Sequence, residues 1–82
     1  MVTLTERARE ALRTSLIAAR RIDPEANLRI VRHDGGVWAV FAAEPDPADQ
    51  LVDVGEIVIG VEVGIAGTVD VGEHNELTVV GP

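Results

Sequence analysis

The sequence predicts a small α+β domain, with one amphipathic helix at the N-terminus followed by five or six short, mostly antiparallel strands. Two patterns predict this class. Apolar residues recur at steps of three and four as far as residue 19, which is the period of a helix, and from residue 28 they alternate or form short β-branched runs, as strands do. The 82 residues suffice for a single domain, 1–82, and a hydrophobic content of 46% argues against disorder.

The predicted helix spans residues 4–21. Thr3 and Thr5 are both candidate N-caps, because a threonine hydroxyl accepts a hydrogen bond from the backbone N–H groups of the first turn. The arginines at 20 and 21 suit the C-terminal end of a helix, and the residue before Pro24 disfavours helical angles. The spacing defines one apolar stripe: Leu4, Ala8, Ala11, Leu12, Leu16 and Ala19.

Alternating side chains over residues 28–33 predict the first strand of a hairpin. Asp34-Gly35-Gly36 predicts a tight hairpin turn, because glycine adopts the positive φ that such turns require. A second strand is predicted at 37–43, and because it is almost wholly apolar we expect both of its faces to be covered.

Two prolines stiffen a surface loop at 44–50. Four short β-branched runs follow at 51–54, 57–63, 68–71 and 77–80, and glycines separate them. These runs predict the remaining strands.

Charge is unevenly distributed along the chain. The first 32 residues hold all seven arginines against four acids, a net charge of +3, whereas residues 33–82 hold ten acids and no lysine or arginine. The overall charge of −7 disfavours nucleic-acid binding, which needs many phosphate contacts. We interpret the basic part as a solvated helix face rather than as a surface for an acidic partner.

No stretch approaches the 18 apolar residues that a membrane-spanning helix requires, and the N-terminus has no apolar signal core. We therefore expect no membrane association and a cytoplasmic location.

Three residue counts restrict the chemistry. The chain has no cysteine, so it offers no thiolate ligand and no disulfide, and no lysine, which excludes biotinyl and lipoyl carrier domains. Ser15 is the only serine, it lies within the predicted helix, and nothing in the sequence suggests a catalytic triad. We expect neither enzymatic activity nor a cofactor.

Two histidines and one tryptophan remain as candidate site residues. His33 precedes Asp34 and His74 follows Glu73, and a histidine with a carboxylate can bind a divalent metal ion. A metal site built from His33 and His74 on neighbouring turns is our alternative hypothesis. Trp38 is either part of the core or, if exposed, the leading candidate for a protein contact.

Five segments follow one another in a recognisable order. The chain opens with Leu4-Thr5 and the amphipathic helix, and continues with Leu28-Arg29-Ile30, Gly36-Val37-Trp38-Ala39, Glu44-Pro45-Asp46-Pro47-Ala48-Asp49 and Val79-Val80-Gly81-Pro82. Over nearly the whole chain this order resembles the A-type iron–sulfur cluster carriers, the HesB-like family. That family has Gly-Cys-Ser-Gly where this chain has Gly36-Val37-Trp38-Ala39, and some members have a Glu-Pro-x-Pro-x-Asp loop. Its last strand ends in Asn-Pro, and a Cys-Gly-Cys tail follows.

The resemblance implies a HesB-like fold without the family's chemistry. Val37 stands where the family has its first cysteine, and none of the three thiolate ligands is carried over. Such clusters are held by cysteine thiolates. The resemblance therefore implies a degenerate member with a protein-interaction or regulatory role linked to iron–sulfur cluster assembly. The family assembles into oligomers, which together with the small core favours a homodimer.

Overall fold

The computed structural model describes residues 2–42 and 44–81, and within these residues the chain forms one helix and seven strands. This confirms an α+β fold with one N-terminal helix, with a slightly higher strand count than predicted. Ala43, the predicted end of the second strand, and Pro82 lie outside the described residues. The elements are β1 (Val2–Leu4), α1 (Glu6–Ile22), β2 (Asn27–His33), β3 (Gly36–Ala42), β4 (Gln50–Asp53), β5 (Val58–Val61), β6 (Gly67–Val71) and β7 (Leu77–Val80).

The additional strand is β1, which occupies the predicted start of the helix. Val2 and Leu4 are buried, and the strand pairs in parallel with β6. The helix consequently begins at Glu6, and Thr5 is its N-cap, because the Thr5 hydroxyl accepts a hydrogen bond of 3.2 Å from the backbone N–H of Ala8. Thr3, the other candidate cap, is exposed on β1.

The strands form two sheets, one with the order β1-β6-β7 and one with the order β3-β2-β5-β4. Both sheets are mixed. Strands joined by short turns pair antiparallel, as β2 with β3 and β6 with β7, whereas β1 with β6 and β2 with β5 pair in parallel across longer connections.

The core lies between α1 and the inner faces of the two sheets. Ala8, Leu12 and Leu16 of the predicted stripe are buried, as the period of the helix requires. They belong to one buried cluster with side chains from both sheets: Leu28, Ile30, Ile59, Val61 and Val69.

Strand β3 differs from its prediction, because most of its side chains are exposed, although Val37 packs partly buried against the core. It is an edge strand of the four-stranded sheet, bonded to β2 on one side. Trp38 and Phe41 are 57% and 58% exposed, and Val40 is 37% exposed. An apolar sequence predicts a strand that can be buried, but whether its faces are covered depends on how the sheets and the helix pack on one another.

The one helix that the described residues form, α1, is not long and apolar enough to cross a membrane.

Candidate functional site

An open groove lies between the first half of α1, the beginning of β3 and the turn that joins β6 to β7. We call it the α1–β3 groove. Its volume is about 970 Å³. Apolar side chains from α1, from β3 and from the ends of β6 and β7 that flank the turn line it: Ala11, Leu12, Val37, Ala39, Val71 and Leu77.

The wall formed by α1 is held in place at the N-terminus of the helix. The Thr5 hydroxyl donates a hydrogen bond of 2.7 Å to Oδ1 of Asp70 on β6, and the Thr5 backbone N–H donates to the carbonyl of Val69 at 2.9 Å. The Thr5 hydroxyl thus caps the helix and ties it to the three-stranded sheet with one oxygen atom.

The same contact changes the titration of Asp70. Hydrogen bonds from the Thr5 hydroxyl and then from the backbone N–H of Val71 stabilise the ionised carboxylate, with a smaller contribution from the charge of Arg7. Together they hold the pKa of Asp70 below its ordinary value of 3.8.

The rim of the groove carries more acids than bases. Arg7 and Glu10 come from α1, while Glu73 and Glu76 come from the turn between β6 and β7. Glu76 also closes that turn, because its Oε2 accepts a hydrogen bond of 2.9 Å from the backbone N–H of His74. An apolar floor with a net acidic rim favours a segment that presents apolar side chains beside basic ones.

Trp38 stands at the edge of the α1–β3 groove. Its indole Nε1–H donates a hydrogen bond of 3.2 Å to the carbonyl of His33, which holds the ring beside the hairpin turn. More than half of its surface is exposed. The sequence predicted that Trp38, if exposed, would be the leading candidate for a protein contact, and its side chain is exposed.

The two histidines occupy different surroundings. His74 lines the groove, whereas His33 does not; Nε2 of His33 lies 3.2 Å from Oδ2 of Asp34, and both of these side chains are mostly exposed. Among the residues that the structure describes, no group of three or more His, Asp or Glu side chains could hold a metal ion. A protein zinc site uses three or four protein ligands, so the described side chains do not supply a complete set.

The donor chemistry also does not fit the iron–sulfur cluster that members of the resembled family carry. The chain has no cysteine, and Val37, which the resemblance would align with the family's first ligand, packs partly buried against the core with an aliphatic side chain.

One polar contact was missed by sequence reasoning. Arg29 on β2 binds Asp49 through two hydrogen bonds of 2.6 and 2.7 Å, and Asp49 has a side chain only 2% exposed. The bond to Asp49 is the main cause that raises the pKa of Arg29. A Cβ atom at Gly60 of β5 would overlap the Asp49 carboxylate, so glycine leaves the room that this pair occupies.

This pair fixes the loop at 44–50 over the outer face of the four-stranded sheet, so its role is structural. The signal in the sequence was weak, because Arg29 and Asp49 belong to two separate motifs and nothing in the sequence pairs them across the 20 positions that separate them.

Comparison of the chain with protein-family models, with curated proteins and with solved structures finds no match.

Proposed function

We propose that the chain is a HesB-like domain that has lost its cluster ligands and works as a non-enzymatic protein-binding module. The order of motifs supports the family, and the link to iron–sulfur cluster assembly follows from that resemblance alone. The proposed setting is the cytoplasm, and the proposed partners are another protein and a second copy of this chain, but not nucleic acid.

The observation that carries the binding role is the α1–β3 groove. Its floor is apolar, its walls come from three separate elements, and Trp38 stands exposed at its edge. Exposed tryptophans beside apolar grooves are frequent centres of binding energy in protein interfaces. The acidic rim favours a partner segment with basic residues, because complementary charge directs association and orientation.

The loss of cluster chemistry is tested by anaerobic reconstitution. The purified chain is incubated with ferrous iron and sulfide and desalted, and the iron and sulfide retained per chain are measured together with the visible absorption. We expect neither to be retained, because the chain has no thiolate to hold them. A stoichiometric brown complex would contradict this part of the proposal.

The binding role is tested by selecting peptides from a random displayed library on the wild-type protein and measuring their affinity for two variants. Ala11→Arg places a long side chain in the groove, whereas Ala18→Arg places the same side chain on an exposed site two turns further along α1, outside the groove.

We expect the selected peptides to carry apolar and basic residues and to lose at least tenfold in affinity for Ala11→Arg but not for Ala18→Arg. Circular dichroism confirms that both variants are folded. Equal affinity for the two variants would show that the α1–β3 groove is not the binding site.

A further inference from the structure

A second, smaller pocket lies on the outer face of the four-stranded sheet, opposite the core, and we call it the outer pocket. Its volume is about 110 Å³, roughly that of four water molecules, so it has room for the end of one side chain and not for a peptide or a cofactor. Among the residues that the structure describes, none lines both this pocket and the α1–β3 groove.

Three neighbouring strands form the floor of the outer pocket. Arg29 of β2, Gly60 of β5 and Leu51 of β4 lie side by side in one row across the sheet. Their neighbours along β2 and β5 are buried in the core, so this row faces outwards. Gly60 has no side chain, which leaves a depression in the row, and Pro45 and Asp46 from the loop before β4 form one wall of it.

The other wall of the outer pocket is apolar. Leu51 is 72% exposed and Val58 is 52% exposed, and both line the pocket. An aliphatic chain placed against these two side chains would remove part of their surface from water, which the hydrophobic effect favours.

The charged groups at the pocket leave an excess of negative charge. Asp49 binds Arg29 through both carboxylate oxygens, whereas Asp46 lies 3.5 Å from Arg29 with a side chain 45% exposed. The hydrogen bond to Asp49 is the main cause of the raised pKa of Arg29, and the charges of Asp46 and Glu62 raise it further. One guanidinium group therefore faces three carboxylates, and Asp46 is the exposed one that can attract a second cation.

The surroundings of Asp46 suit an ammonium group better than a guanidinium group. Its Oδ1 accepts a hydrogen bond of 2.9 Å from the backbone N–H of Ala48, and its Oδ2 faces Arg29. A guanidinium group needs both oxygens of a carboxylate for its paired hydrogen bonds, whereas an ammonium group is a point charge that one oxygen can bind. The chain has no lysine, so a lysine at this position belongs to another protein.

We propose that the outer pocket binds a single lysine side chain of a partner protein, with the ammonium group at Oδ2 of Asp46 and the methylene groups against Leu51 and Val58. Lysine combines an aliphatic stem with a compact charge at its end, and the pocket offers an apolar wall beside an exposed carboxylate. This inference goes beyond the proposed function, because it uses other residues and does not depend on the α1–β3 groove.

The test titrates the isotope-labelled protein with Nα-acetyl-lysine N-methylamide and follows the backbone amide signals by NMR. We expect saturable shifts confined to the pocket, above all at Gly60 in its floor and at Ala48, whose N–H is bonded to Asp46. The norleucine analogue has the same stem without the amino group, and the arginine analogue carries its charge on a planar fork. Each of these two should bind at least threefold more weakly than the lysine compound.

Two pairs of variants separate the charge from the stem. Asp46→Asn removes the charge but keeps an oxygen for the Ala48 N–H, and it should weaken lysine binding at least threefold. Asp34→Asn removes the same charge at the exposed β2–β3 turn and should leave binding unchanged. Leu51→Ala should weaken binding, whereas Val80→Ala, at a side chain 66% exposed on β7, should not.

Several outcomes would overturn the proposal. Shifts that do not saturate, or that spread to the acids of the β6–β7 turn, would show a non-specific attraction of cations to an acidic protein. Equal binding of the lysine and norleucine compounds, tighter binding of the arginine compound, or an equal loss in Asp46→Asn and Asp34→Asn would also contradict it. The comparison of the three compounds uses the wild-type protein alone, so it decides the matter even if a variant fails to fold.

Discussion

Replacing Thr5 by alanine tests how the N-terminus of α1 is held. The Thr5 hydroxyl accepts a hydrogen bond from Ala8 and donates one to Asp70, so the substitution removes both contacts at once. Loss of an N-cap costs about 0.5–2 kcal/mol, and the second contact places the expected cost in the upper part of that range, about 1–2 kcal/mol. For a domain of this size, each kcal/mol lowers the melting temperature by about 4–8 °C.

The measurement is urea unfolding followed by circular dichroism. The midpoint should fall while the slope m stays unchanged, because the surface exposed on unfolding is the same. Thr5→Ser keeps a hydroxyl at the cap and should recover most of the loss.

Thr3→Ala is the matched control, because Thr3 was the other candidate cap in the sequence but lies exposed on β1. Its free energy of unfolding should stay within about 0.5 kcal/mol of wild type. If Thr3→Ala costs as much as Thr5→Ala, or if Thr5→Ser costs as much as Thr5→Ala, the assignment of the cap is wrong.

Three further predictions concern acid stability, the core and the sheet. The pKa of Asp70 is lower in the folded than in the unfolded state, so the stabilisation that its carboxylate gives is present above the ordinary value of 3.8 and is lost as the pH falls through the folded-state pKa. Asp70→Asn should therefore flatten this acidic part of the profile of unfolding free energy against pH. An unchanged acid slope would refute the contact. Leu16→Ala, at a side chain with no exposed surface, should cost about 2–5 kcal/mol in urea unfolding, and an equal loss in Ile17→Ala, at a side chain 43% exposed, would contradict the burial of this helix face. Gly60→Ala should cost about 1–3 kcal/mol by displacing Asp49, and in a double-mutant cycle the cost should shrink when Asp49 is already alanine; strict additivity would show that the two residues do not interact.

Several elements could be predicted because their signals are local. The three- and four-residue steps of Ala8, Leu12 and Leu16 mark the buried face of α1, and Asp34-Gly35-Gly36 marks the β2–β3 turn. These patterns depend on neighbours within one turn of helix or one hairpin, so the amino-acid order alone carries them.

The misplaced helix start has a non-local cause. Residues 2–4 form β1 because they pair with residues 67–69 of β6, and no pattern near the N-terminus reveals that partner. The same pairing decides between the two threonines: Thr3 becomes part of a ladder, and Thr5 is left as the cap beside Asp70.

The candidate site depends on tertiary structure even more strongly. The sequence singled out Trp38 and His74 individually, but only the fold brings them to the same groove together with the first half of α1. The alternative hypothesis paired His33 with His74, but of the two only His74 lines that groove; His33 lies beside Asp34, its neighbour in the sequence.

By itself the sequence determined the α+β class, the single amphipathic helix, the acidic net charge and the absence of any thiolate, because composition and local periodicity are properties of the chain without its folding. Only the tertiary structure decided that β3 lies at an edge with Trp38 and Phe41 exposed, that Asp49 is buried against Arg29, and that α1 and β3 enclose a groove. The physical reason is that burial and exposure depend on which distant segments pack together, and the order of strands in a sheet is set by contacts between residues far apart in sequence.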